Sequence, residues 1–221
     1  AASQASPKYY SVDPVGTLSA NVLGTYHLLN VARQYPIEGF LYFSSGEVYG
    51  EPLPGVECLD EKRYGYIDPM QVRACYGESK RMAENMCVSW WHQFKVPIKV
   101  VRPFHTYGPG MQLNDGRVFA DFVSDVLAGR DIVMKSDGSA IRAFCYLVDA
   151  TIGFFTVLLK GKQGEAYNVG NDQAVSSIVN LAEIMTGIFP EKNLKVVQKE
   201  PCSAHNYLKS AIHKNAPNIE K

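Results

Sequence analysis

Hydrophobic positions along the chain follow two patterns, one helical and one extended. Val15, Leu18, Val22, Tyr26, Leu29 and Val31 recur at near-helical spacing behind Asp13-Pro14. A capping carboxylate followed by proline at the first helical position marks a helix start, so a helix is predicted from Asp13 to about Arg33. Gly39-Phe40-Leu41-Tyr42-Phe43-Ser44-Ser45 is instead a continuous apolar run that closes in two hydroxyls. It reads as a strand buried on both faces with functional groups at its carboxyl end. A Pro-, Gly- and Glu-rich loop follows from Gly46 to about Gln71, then a helix to about Phe94 and a second buried strand from Val96 to Phe104. Beyond the loop His105 to Asp115 the pattern predicts a helix (Arg117 to Ala128), a short strand (Ile132 to Lys135), the segment Arg142 to Asp149, and a helix (Ala150 to Leu159). A strand (Glu165 to Val169), a helix capped by Ser176 or Ser177 and ending near Ile188, a strand (Leu194 to Gln198) and a polar tail complete the chain. Residues up to Val12 read as a Ser/Pro/Tyr loop. Strands and helices alternate and then mix, which indicates an α/β fold, a doubly wound parallel sheet with a smaller C-terminal lobe.

Composition narrows the function classes. The 221 residues are 46% hydrophobic and 20% charged, and 22 Lys plus Arg balance 22 Asp plus Glu. A formal net charge of zero implies no polyanion-binding field, so nucleic acid is not an expected partner. No apolar run approaches the ~20 residues of a membrane span, and no signal-peptide pattern opens the chain. Five cysteines (Cys58, Cys75, Cys87, Cys145, Cys202) are widely spaced and form no CxxC pair. They read as reduced thiols of a cytoplasmic protein, with no metal site.

The candidate chemistry centres on Tyr76-Gly77-Glu78-Ser79-Lys80. A spacing of four places phenol and ammonium on one helical face. An unperturbed phenol has a pKa of about 10, and lowering it to near 7 takes roughly 4 kcal/mol of phenolate stabilisation. One ammonium at about 4 Å in an effective dielectric of about 20 supplies on the order of that amount. The pair alone is equally a common helix-surface combination. Phe43-Ser44-Ser45-Gly46-Glu47 adds hydroxyls and a carboxylate at a strand end, where serines also serve simply to cap backbone groups. Arg102, His105 and Tyr107 cluster at the end of the next strand, and Arg117 and Arg142 each sit beside a turn. Together two arginines could clamp a diphosphate, which favours planar forked donors.

AASQASPKYY, NVLGT, SSGEVYG, RACYGESKRMAE, VRPFHTYGPG, NDGRVFADF, RAFCYLVDA and YNVGND occur in this order. In these segments the chain resembles the extended short-chain dehydrogenase/reductases of the NAD-dependent nucleotide-sugar epimerase/dehydratase family, and is especially similar to UDP-glucuronate decarboxylases. The resemblance implies a Rossmann-like sheet, incomplete at its N-terminal half, with residues 1–104 forming the later half of the NAD-binding domain. Residues 105–221 would be mainly the nucleotide-sugar lobe, with segments returning to the sheet. It also implies that Tyr76 removes the proton of the sugar 4-hydroxyl, that Lys80 binds the nicotinamide ribose and lowers the tyrosine pKa, and that Ser45 orients the hydroxyl. Glu47 would serve the sugar-ring chemistry. Ala1, Ala2, Asn21, Ser44 and the Pro103-Phe104 backbone would line the cofactor, NAD, with Tyr76 and Lys80, and His105, Arg117 and Arg142 would hold the nucleoside diphosphate.

Three departures qualify the resemblance. The Gly-rich turn for the NAD pyrophosphate is absent and is expected upstream, in a longer protein. Position 46 is glycine, where related dehydratases carry aspartate and decarboxylases usually serine. His105 stands where asparagine is usual. The expected activity is nucleotide-sugar conversion through a transient 4-keto sugar, epimerisation first because position 46 lacks the acid and decarboxylation close behind. A catalytically silent structural or regulatory relative is the alternative of another class. The resemblance further implies a homodimer through the helices at about 14–33 and 72–94, against which Trp90 and Trp91 could simply pack on their own sheet, and a role in supplying surface polysaccharide precursors.

Overall fold

A computed structural model of the chain describes residues 5–56, 58–113, 115–198 and 212–221. Ala1 and Ala2, placed above in the cofactor lining, lie outside them, as do Asn114 and Cys202. The helices are α1 (Pro7–Val12), α2 (Pro14–Ala32), α3 (Ala74–Phe94), α4 (Val118–Leu127), α5 (Leu147–Lys160) and α6 (Ile178–Ile188). The strands are β1 (Phe40–Phe43), β2 (Ile98–Pro103), β3 (Thr106–Tyr107), β4 (Ile132–Met134), β5 (Ile141–Ala143), β6 (Cys145–Tyr146), β7 (Ala166–Val169), β8 (Val175–Ser177), β9 (Val196–Gln198) and β10 (Lys214–Asn215). As the capping pattern predicts, Asp13 Oδ1 accepts a hydrogen bond from Gly16 N at 2.9 Å and starts α2.

β1, β2 and β7 form one parallel sheet in the order β1-β2-β7, with Phe43 opposite Val101 and Val101 opposite Tyr167. Side chains alternate across it. Tyr42, Ile98 and Val100 pack with Leu29 of α2 and Ala83 and Cys87 of α3 on one face. Val101 and Val169, joined by Leu41, pack with Ala150 and Val157 of α5 on the other. Helices therefore cover both faces, and the architecture is a doubly wound, Rossmann-like α/β fold. A second core gathers Phe122 and Val126 of α4, Ile132 and Met134 of β4, and Leu181 and Met185 of α6. Around it β5 pairs in parallel with β10 and antiparallel with β8, β4 pairs with β9, and β3 with β6. No helix among the described residues is long and apolar enough to cross a membrane.

The N-terminal stretch differs from the expected loop: Pro7–Val12 is a six-residue helix. Six residues are too few for hydrophobic periodicity to show, and so short a helix needs tertiary contacts to persist. Ser6 Oγ donates to the Asp115 carbonyl and Tyr10 is buried. α5 also begins at Leu147, three residues earlier than predicted.

Arg102 departs more sharply from expectation. In β2 it shares the face of Ile98 and Val100, so its side chain points toward α3 and away from His105. It is 1% exposed. Its Nε and one terminal nitrogen donate to the two carboxylate oxygens of Glu84 at 2.9 and 2.6 Å. The remaining donors reach the hydroxyls of Tyr49 (2.9 Å) and Tyr64 (2.6 Å) and the Glu61 carbonyl (3.1 Å). Removing one member of so buried a pair leaves an uncompensated charge, at a cost of about 3–5 kcal/mol. Glu84→Ala should therefore lose about 3–5 kcal/mol in urea unfolding, whereas Tyr64→Phe should lose only about 1 kcal/mol. A loss below about 1 kcal/mol for Glu84→Ala would show that the pair adds nothing.

Candidate active site

The site forms where β1 ends. Ser44 N donates to the Val101 carbonyl at 2.8 Å and extends the ladder by one residue. The chain then enters a 3₁₀ turn, Gly46–Tyr49, capped by Ser45, whose Oγ accepts from Glu47 N at 3.2 Å. Arg81 of α3 clamps this turn, donating to the carbonyls of Val48 (2.6 Å), Tyr49 (3.3 Å) and Gly65 (2.9 Å). α3 approaches so closely that a Cβ at Gly77 would lie 3.3 Å from the Glu47 carbonyl oxygen and 3.0 Å from Ile67. A Cβ there would push on both neighbours, and glycine avoids that. The result places Tyr76 and Lys80, one turn apart on α3, beside the strand end that carries Ser44 and Ser45.

Tyr76 is buried, and its ring stacks on Tyr10 with centroids 4.9 Å apart and planes 18° from parallel. Burial pushes its pKa up to about 12; a hydrogen bond with Ser45 opposes this, Glu47 adds to it, and Arg117 and Arg73 oppose it. Lys80 Nζ donates to the Phe43 carbonyl at 2.8 Å and lies 5.7 Å from the centre of the Tyr76 ring. Its own pKa falls to about 8 through burial, against the pull of Glu84 and Cys87. The expected lowering of the phenol pKa by a nearby ammonium is thus not what this structure shows: a carbonyl holds the ammonium, and desolvation dominates the phenol.

One cavity of about 1200 Å³ gathers the remaining candidates: Asn21, Ser44, Ser45, Glu47, Tyr76, Lys80, Pro103, Phe104, His105, Arg117 and Arg142 all line it. Among the described residues its wall carries six basic side chains (Arg73, Lys80, Arg117, Arg130, Lys135, Arg142) against three acidic ones (Glu47, Asp121, Asp125). The placements refine the roles the residues can play. Asn21 Nδ2 donates to Ser79 Oγ at 2.9 Å, bracing α2 on α3. The Phe104 N–H is taken by the Val169 carbonyl at 2.9 Å, and the Phe104 carbonyl accepts from Thr106 Oγ1 at 3.0 Å. Arg117 is half-exposed and pairs with Asp115. Arg142 donates to the carbonyls of Ile141 (2.7 Å), Ile212 (2.9 Å) and His213 (3.1 Å), so much of its fork is spent on the returning segment. Ser44 Oγ is buried without a hydrogen-bond partner. At Gly46 a Cβ would lie 3.1 Å from both Asn215 Oδ1 and Phe104, so a larger side chain there would require these neighbours to shift by a few tenths of an ångström.

Three residues of the site escaped sequence reasoning: Tyr10, Arg73 and Arg81. The available signal for Tyr10 was Ser6-Pro7, which repeats the capping pattern of Asp13-Pro14. Arg73 and Arg81 lie three before and five after Tyr76, but their partners are set by the path of the loop, which periodicity does not encode.

Burial first, then Arg142 and Arg117, hold the His105 imidazole below its usual pKa. Below about pH 6.5 the unfolded chain takes up a proton that the folded site resists, so this residue costs stability as pH falls. His105→Asn should therefore reduce the loss of stability between pH 7.5 and 5, read from urea midpoints. An unchanged pH profile would contradict the assignment.

Comparison with known proteins gives the family and the fold. A family model described as NAD dependent epimerase/dehydratase family matches residues 1–170. UDP-glucuronic acid decarboxylase 6 of Arabidopsis thaliana is 36% identical over 198 residues, covering 89% of this chain; the match spans 56% of the relative's length. The structure of UDP-glucose 4-epimerase from Thermotoga maritima with UDP-glucose superposes with a TM-score of 0.85 at 22% identity, over 100% of this chain and 67% of that one. UDP-glucuronic acid 4-epimerase from Bacillus cereus, in complex with UDP-glucuronic acid and NAD, gives a TM-score of 0.77 at 21% identity, over 92% of this chain and 60% of that one. Both likenesses are of fold.

Proposed function

This chain belongs to the NAD-dependent epimerase/dehydratase family, and we propose that it carries the catalytic groups of an enzyme that converts nucleoside-diphosphate sugars through a transient 4-keto sugar. The observation that carries the reading is the convergence of Ser45, Tyr76 and Lys80 on one electropositive cavity. Tyr76 acts as base toward the sugar 4-hydroxyl, with the Ser45 hydroxyl beside it favouring the phenolate and positioned to hold that hydroxyl. A phenol with a pKa near 12 is almost fully protonated at neutral pH, so phenolate formation draws on the groups that oppose its desolvation: Ser45, Arg117 and Arg73. The residues present fit the nicotinamide-ribose end of NAD. Ser44 Oγ is an orphaned buried polar atom in the cavity, and Lys80 is held one residue away, on the Phe43 carbonyl. Asn21, Pro103 and Phe104 complete that lining, with Ala1 and Ala2 assigned to it by resemblance. NAD, when bound, supplies the acceptor for the hydrogen leaving C4.

Oxidation at C4 acidifies C5, and it makes a uronic acid a β-keto acid whose carboxyl leaves readily as carbon dioxide. We place decarboxylation of a nucleotide-linked uronic acid first, on the 36% identity to a protein named as a decarboxylase. Epimerisation is second, and the absence of an acid at Gly46 weighs against dehydration. The intact set of Ser45, Tyr76 and Lys80 argues against a catalytically silent relative. Residues 1–104 would then serve as the later half of the cofactor domain and 105–221 mainly as the sugar-nucleotide lobe, in a cytoplasmic enzyme feeding polysaccharide synthesis. We assign a homodimer contact to α2 and α3, supported by the exposed apolar side chains Val15, Leu18, Tyr26, Val31, Met82 and Val88. Trp90 and Trp91 pack instead on their own core.

Full-length protein should convert at least one of UDP-glucose, UDP-glucuronate and dTDP-glucose, followed by NMR, and failure with all three would sink the enzyme reading. Tyr76→Phe should lower kcat by about 100-fold or more while leaving NAD affinity within about twofold; normal turnover would remove Tyr76 from its role. Sedimentation at micromolar concentration should give a dimer, and a monomer would end that assignment.

A further inference from the structure

Arg73 enters the mechanism above only through its charge, with no contact to the substrate assigned to it, yet it stands within the site. It occupies the N-cap position of α3 without capping it through its side chain, three residues before Tyr76, and its guanidinium carbon lies 4.7 Å over the ring of Tyr10, which stacks on Tyr76. The side chain is only 17% exposed. One terminal nitrogen contacts Glu47 Oε2 at 3.3 Å, long beside the ~2.8 Å usual for a charged pair. Its Nε is buried without any partner. Leaving a buried donor unsatisfied is costly, and evolution of a stable fold does not require it. Arg117 and Arg142 differ: the first pairs through Nε with Asp115, and the second donates to three carbonyls.

We infer that Arg73 recognises a carboxylate carried by the sugar, and so sets a preference for uronic-acid nucleotides over neutral hexose nucleotides. The inference rests on the function proposed above. Its logic is that of the sugar ring. If Tyr76 and Ser45 hold the 4-hydroxyl, the diphosphate on C1 leaves the opposite side of the pyranose, whereas C6 hangs from C5, next to C4. An anion-binding side chain beside Tyr76 is therefore in reach of the groups on C3 and C5 and not of the diphosphate, and of these only C6 on C5 can carry a charge. A carboxylate is also the acceptor that fits the open donors, because Nε and a terminal nitrogen of one guanidinium bind its two oxygens side by side. The weakly held Glu47 carboxylate occupies part of this fork, and the sugar carboxylate would replace it. In the neutral hexose the 6-hydroxyl can satisfy only one such donor and brings no charge.

The test is calorimetric binding of UDP-glucuronate and UDP-glucose to the full-length protein and its Arg73→Gln and Arg73→Lys variants. UDP-glucuronate should bind Arg73→Gln at least tenfold more weakly than wild type, while UDP-glucose changes by less than twofold. Arg73→Lys, which keeps the charge but loses the fork, should show a smaller loss confined to UDP-glucuronate, and it carries the comparison alone if Arg73→Gln does not fold. Equal weakening of both ligands, or no change in either, overturns the role of Arg73 while leaving the enzyme reading intact. Wild-type protein that binds neither ligand overturns that reading and this inference with it.

Discussion

The geometry of the site depends on how α3 is fastened to the strand ends. Tyr76, Lys80 and Glu84 follow one another at four-residue intervals, so they share one face, and each meets a polar group of the sheet side: Ser45, the Phe43 carbonyl and Arg102. Glu84 and Arg102 fix the helix against β2 deep in the core, and Arg81 holds the turn that follows β1. A phenol placed by this ladder has little freedom to drift from Ser45. The arrangement also explains the helix's mixed character, since Tyr76, Lys80 and Glu84 are buried beside the apolar Ala83 and Cys87, and each of the three has its own polar partner.

Much of this could be read in the chain. α2, both long strands and α3 followed from periodicity and capping, and the four-residue spacing of Tyr76 and Lys80 placed both on one face. The direction of Arg102 was legible in principle, because strand alternation puts it with Ile98 and Val100. Its proximity to His105 in sequence concealed this. Other features had no local signal. The partners of Arg142 lie some 70 residues away, and the pKa of Tyr76 is set by how completely it is buried, which spacing does not report. The electrostatic argument from one ammonium overlooked that a carbonyl would compete for it.

Charge illustrates the same limit. The chain as a whole is neutral, and that gave no reason to expect a polyanion partner. Neutrality of the sum says nothing about its distribution, however, and the fold gathers a surplus of cations around one cavity. Two of them, Arg130 and Lys135, are offset by Asp125 and Asp121. The surplus therefore lies on the Tyr76 side of the cavity.

The stack of Tyr10 on Tyr76 has a thermodynamic side. α1 is too short to persist alone, and it is tied to the rest through Ser6 and Tyr10. A ligand that uses the ring face Tyr10 now covers must displace that contact, worth about 0.5–1.5 kcal/mol for an aromatic pair. Its observed affinity is then its intrinsic affinity discounted by the local stability of α1. By the same linkage, a substitution that loosens α1 without touching the ligand would tighten binding.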